Sequence, residues 1–217
     1  MIKVSPSELL TFFDEAPSES RGHATAIVAV AGEELGVALL LEYLRSIGRK
    51  ATALPGPCTP GTTKGARLDR WVEVSAQPPL FYQVEVKNWS AHAFRGRQLK
   101  IDADNDVLVA YARLEWDSVW NGATFTHTAM SKVLSPMKPP RPGVQVEPVI
   151  CFWKPCNLAP FFTVPLGVEH AFREVHVFSM SAYLRTCGRK ELLLDMPDTE
   201  RRLTWLRKLF QPGGDPG

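Results

Sequence analysis

The sequence predicts an α/β protein in which strands pack against helices. Two observations predict it. A long apolar-faced helix, Ala26–Ile47, is followed by two alternating runs, ARLDRWVEV and LFYQVEV; after a central segment of helical periodicity, the strand-like runs VEPVICFW and EVHVFS return.

Each element has a local reason. SPSELLTFF sets Ser5 three residues ahead of Glu8, a capping-box pattern before a short apolar helix. The long helix stops at Gly48, Lys50–Leu54 reads as a short strand, and PGPCTPGTTKG is a loop of Pro, Gly and Thr. ARLDRWVEV and LFYQVEV, joined by SAQPP, read as a hairpin. Between Arg97 and Trp120 apolar residues recur at helical spacing, although Val107–Leu114 also suits a strand. SPMKPPRPG, at Ser135–Gly143, is a proline-rich connector and the one candidate domain boundary. A helix near Ala182–Cys187 and a final helix, RRLTWLRKLF, close the chain's ordered part, and the apolar face of that last helix is expected to pack on the body of the protein. The chain beyond the connector is short for an independent core, so the expectation is a single domain over residues 1–210 with a loose tail, QPGGDPG, at 211–217.

Composition narrows the function. A formal charge of +2 over 217 residues is too small for the whole-protein field to draw in nucleic acid, so local clusters must decide that question. Four cysteines at irregular separations, with no signal-peptide pattern ahead of them, read as reduced thiols in a cytoplasmic protein. The most apolar run, ATAIVAVAGEELGVALLLEYL, is interrupted by Glu33 and Glu34, and no membrane segment is expected.

Charge placement singles out one face of the hairpin. Phe81, Gln83, Glu85 and Lys87 share one side of their strand, and Tyr82, Val84 and Val86 share the other. If the apolar side packs against helices, the acid and the amine are left together on the opposite surface. A turn symmetric about Gln77 sets Asp69 across from Glu85, with side chains about 5 Å apart. Two carboxylates that close call for a cation or a shared proton, and a hard divalent ion such as Mg2+ fits oxygen donors. Stepping about 100° per residue along the long helix, Leu44, Val37, Leu40 and Ile47 all fall within about 40° of Glu33, which centres that acid on the inward stripe. Its neighbour Glu34 points toward the side of Arg45, as a solvated ion pair.

This order, Gly32-Glu33 on a helix, then Leu68-Asp69, then Glu85-Val86-Lys87 in the next strand, resembles the PD-(D/E)XK nuclease superfamily, with the restriction-endonuclease-like fold. Leu68 stands where that motif usually has proline, and Gln98 resembles the polar residue many members carry on their second core helix. The resemblance covers roughly Ala26–Leu99. It implies an αβββαβ core, a mixed central sheet flanked by helices, with C-terminal additions, and a metal-dependent nuclease hydrolysing phosphodiester bonds, acting on DNA in defence or repair. Asp69 and Glu85 would hold Mg2+ or Mn2+, Glu33 would bind a second ion or its water, Lys87 would orient the attacking water, and Gln98 would position substrate. Lys64, Arg67, Arg70, Arg95, Arg97 and Lys100 surround the motif and would hold phosphates without reading sequence. The alternatives are a non-catalytic nucleic-acid-binding or scaffold subunit and an RNA-directed nuclease. A homodimer or a larger defence or repair complex is the assembly such proteins suggest.

Other patterns fall away. DADND, Asp102–Asp106, begins like an EF-hand loop but has Val107 where glycine belongs, and GPCTPGTTK lacks the G-K-[ST] ending of a phosphate-binding loop. The five histidines form no H-E-x-x-H, and Cys151 and Cys156 are not spaced as a zinc pair, so no transition-metal site is expected.

Overall fold

Runs rich in β-branched and aromatic residues pair into one sheet, and the helices cover it. The computed structural model describes residues 1–15, 21–60, 67–87, 133–153 and 159–210, with the backbone alone at 14, 15, 21–25 and 87. The elements are β1 (Ile2–Val4), α1 (Pro6–Leu10), α2 (Arg21–Ser46), β2 (Ala51–Ala53), β3 (Arg70–Val74), β4 (Leu80–Lys87), β5 (Gln145–Phe152), β6 (Phe161–Pro165), β7 (Glu174–Ser179), α3 (Met180–Thr186), β8 (Leu192–Leu194) and α4 (Pro197–Leu209). The main sheet has the order β2-β3-β4-β5-β7-β6, and β1 pairs with β8 in a separate ladder. β2, β3 and β4 form an antiparallel meander, β4, β5 and β7 run parallel, and β6 closes the far edge antiparallel. The sheet is mixed, as the resemblance implies. The short strands β1, β6 and β8 were not foreseen.

The hairpin takes the register of a connector symmetric about Gln77, since Arg70 pairs with Val84 and Val74 with Leu80. At the helix ends, Ser5 Oγ accepts from the Glu8 amide at 3.3 Å. Gly48, just past α2, adopts φ 79°, a conformation that glycine enters without steric cost. No helix among the described residues is long and apolar enough to cross a membrane.

Parallel strands bury both of their faces, and that corrects one expectation. On one face α2 and α3 pack Leu39, Leu40, Leu44 and Tyr183 against Val72, Val84, Val149 and Cys151. Gly36 sets the closeness of α2, because a Cβ there would lie 2.4 Å from Val86 Cγ1. The other face, which carries Gln83 and Glu85, is not left outward: the two are 0% and 1% exposed. The chain after residue 132 covers it. Gln83 Nε2 donates to the carbonyls of Val133 (2.6 Å) and Ser135 (3.0 Å), and its Oε1 accepts from the Met137 amide (3.1 Å). One amide thereby fastens the proline-rich connector to the sheet, and Met137 packs there with Trp71 and Phe81.

Two further corrections concern the last helix. Glu34 is not paired with Arg45, which binds Glu42 instead. Its carboxylate reaches α4, accepting from the amides of Asp198 (2.9 Å) and Thr199 (2.6 Å) and from Thr199 Oγ1 (2.6 Å). The residue at the N-cap, Met196, has no oxygen to offer, so an acid from α2 caps α4 across space. Because α4 is held by this first turn, its apolar face does not pack as expected: Trp205, Leu209 and Phe210 are exposed.

Replacing Gly36 with alanine forces a methyl group into Val86 and is expected to cost about 1–3 kcal/mol in urea unfolding. In the Gly36→Ala/Val86→Ala chain the loss is expected to fall below the sum of the two single losses, because each change makes room for the other.

Candidate functional site

The site is built where β3 stops and β4 continues. In-register pairing runs as far as Arg70 and Val84. At Asp69 the chain bends out of the ladder: its N–H donates to the Val84 carbonyl at 3.1 Å, one position out of step, and its Oδ2 accepts from the Val86 amide at 2.6 Å. A carboxylate oxygen thus takes an amide that a continuing strand would have bonded through its carbonyl. Backbone amides lie in the plane of a sheet, so the Asp69 carboxylate lies close to that plane, beside Glu85-Val86-Lys87.

From this position its charge is felt on both sides. Burial pushes the Cys58 thiol, among the residues packed with Trp71, up to about 12, and Asp69 adds to the rise. Burial likewise raises the Cys151 thiol, on the α2 side, with Asp69 again contributing. Glu85 is buried on the face away from α2, beside Ile150 of β5. Asp69 is therefore bonded to the backbone of the Glu85 strand, but Asp69, Glu85 and Glu33 are not among the described residues whose ligand atoms lie within 4.8 Å of one another as one group. The direct cross-strand pairing of Asp69 with Glu85 is replaced by the bond to Val86.

Glu33 is exposed, not buried as its place on the stripe suggested. The reason lies beneath it. α2 runs antiparallel to β4, with Gly36 over Val86, near the strand's C-terminal end, and Arg49, just past the helix, donating to the Tyr82 hydroxyl (3.2 Å) near its start. Gly32 is buried and Ala31 and Val28 pack partly on the core, so the inward face at this end of α2 lies to one side of Glu33. Glu33 thus sits at the same end of the strand as Asp69 and Glu85.

The remaining residues separate more plainly. The Lys87 backbone closes β4 opposite Phe152. The Lys87 side chain lies outside the described residues, as do Lys64, Arg95, Arg97, Gln98 and Lys100. Arg67 is exposed, while Arg70 is half-buried and its Nη1 lies 3.5 Å from the Leu54 carbonyl, at the outer limit of a hydrogen bond. The oxygen donors Asp69, Glu85 and Glu33 are hard ligands, a set suited to Mg2+ or Mn2+.

A second constellation escaped the sequence reading. Glu147, Glu174 and His176 bring one ligand atom each to within 4.8 Å of one another. The hydrogen bond from His176 holds the Glu147 carboxyl below its usual range, against the upward push of burial. The only local signal was Glu174-Val175-His176, whose alternation puts acid and imidazole on one face of a strand. Glu147 comes from another strand, and sequence spacing does not report it.

No family model, no curated protein and no solved structure matches this chain.

At pH 8, alkylation mapped by mass spectrometry is expected to modify the half-buried Cys187 readily. Cys58 and Cys151, which are buried and whose thiol pKa burial raises, are expected to react far more slowly and only as the chain unfolds. Rapid labelling of Cys58 in the folded protein would contradict the packing beside Asp69.

Proposed function

We propose that this chain is a metal-dependent nuclease of the restriction-endonuclease-like fold that hydrolyses phosphodiester bonds in DNA. The observation that carries the reading is the bond from the Val86 amide to Asp69, which joins the two separated halves of the motif, Leu68-Asp69 and Glu85-Val86-Lys87. The order of elements supports it: a helix, three antiparallel strands, then a strand parallel to the third.

Asp69 and Glu85 would hold Mg2+ or Mn2+, and Glu33 would serve a second ion or its water. The metal supplies a Lewis acid for the phosphoryl oxygen and lowers the pKa of the attacking water. Lys87, two residues after Glu85 in the sequence, would orient that water and steady the negative charge that develops on phosphorus-bound oxygen. Arg67 and Arg70, with Lys64, Arg95, Arg97, Lys100 and Gln98, supply phosphate contacts and substrate positioning. Buried thiols at Cys58 and Cys151 accord with a cytoplasmic enzyme.

Nicking of supercoiled plasmid, run beside a structured RNA substrate in Mg2+ and in Mn2+, is the test. Cleavage of the plasmid is expected. Lys87→Ala should lower the rate about 10²–10³-fold. Asp69→Asn should abolish cleavage while its amide oxygen keeps the Val86 bond, so the unfolding midpoint moves little. Metal-dependent cleavage that survives in Asp69→Asn removes the assignment, RNA cleavage alone changes the substrate, and DNA binding without turnover leaves the non-catalytic subunit.

A further inference from the structure

We infer that Glu147, Glu174 and His176 form a second divalent-cation site, of the kind that takes Zn2+ or Mn2+, which clamps β5 to the β6–β7 edge. It does not depend on the nuclease reading. Glu147 lies opposite Tyr82 in the β4–β5 ladder, about 10 Å along the strand from Glu85, and on the other face of the sheet.

The imidazole is pre-set for a ligand's role. His176 is 7% exposed, its ring stacked on Phe161 (centroids 5.4 Å apart, planes 20°) and edge-on to Tyr82 (5.5 Å). Nε2–H donates to Glu147 Oε2 without an ion, and Nδ1 lies 2.9 Å from Thr163 Oγ1; a cation that displaces the Nε2 proton would leave Nδ1–H held by that hydroxyl and turn the Nε2 lone pair to the site. Both carboxylates converge on that nitrogen, Glu147 Oε2 at 2.7 Å and Glu174 Oε1 at 3.9 Å. A Glu–His hydrogen bond accounts for one of the two. The pinned ring, the second acid on the same nitrogen and the mutual spacing of the three atoms match three positions around one small cation, with water completing the shell.

The surrounding charges are unequal. Arg49 acts on Glu147 and donates to the Tyr82 hydroxyl, and its guanidinium opposes a bound cation. Gln145 Nε2 donates to Glu147 Oε1 at 2.5 Å, which occupies the oxygen facing away from His176 and leaves Oε2 directed at the site.

Zn2+ titration by calorimetry on the full chain tests the site, with Asp69→Asn as the parent so that the nuclease centre is impaired. One equivalent is expected to bind and to raise the unfolding midpoint, since an ion held by the folded state alone stabilises it. Thr163→Val, which removes the hydroxyl behind the ring, is expected to weaken binding about tenfold. Glu174→Gln, at an exposed position that does not endanger folding, is expected to weaken it further and to remove the rise in midpoint. Arg49→Gln is expected to tighten binding. Absence of Zn2+ binding in the parent, or binding unchanged by Glu174→Gln, overturns the site.

Discussion

The structure turns on one hydrogen bond, from the Val86 amide to the Asp69 carboxylate. β4 is paired on both sides along most of its length, with β3 on one flank and β5 on the other. β3 begins only at Arg70, and the flank of β4 beyond Val84 would otherwise expose a backbone donor. A charged acceptor satisfies it more strongly than a neutral carbonyl would. The bond therefore does structural and chemical service together: it ends the strand cleanly, and it fixes an acid against the Glu85-Val86-Lys87 run. The same bond fixes the orientation of the Asp69 carboxylate.

The second constraint is the thinness of the layer above. Gly36 lets α2 descend onto Val86, whose amide bonds Asp69. A larger residue would lift that end of the helix and carry Glu33 away from the strand terminus. Glu34, one position on, is committed to α4 and ties the helix in a second direction. Adjacent glutamates thus have divided duties, one capping a helix and one left at the open end of the sheet.

Much of this was legible. The hairpin register followed from the symmetry of its connector, because period-two alternation and a short turn leave few alternatives. The long helix and its glycine stop followed from periodicity. Burial was less legible. Glu33 looked buried because a helical wheel centred on the later leucines misses that the inward face near the start of α2 is carried by Val28, Ala31 and Gly32. Glu85 and Gln83 looked outward because alternation identifies the polar face, and only the long-range arrival of Val133, Ser135 and Met137 covers it. The Glu34 cap and the Glu147–His176 pair failed for a common reason: their partners lie far away in sequence, 164 positions for Glu34 with Asp198 and 29 for His176 with Glu147.

The two acidic groups occupy opposite ends of the parallel strands, and that separation bears on their roles. In open α/β sheets ligands tend to bind outside the carboxyl ends of the strands, where loops leave the sheet and a substrate can approach. Asp69, Glu85 and Glu33 collect at the C-terminal end of β4. Glu147 and His176 lie near the starts of β5 and β7, walled by Phe161 and Tyr82 and backed by the Thr163 hydroxyl. That environment holds an imidazole still and gives a polymer little access, which suits an ion that fastens strands. The other end, where β3 has not yet joined β4, leaves the Asp69 carboxylate on the Val86 amide beside the strand terminus.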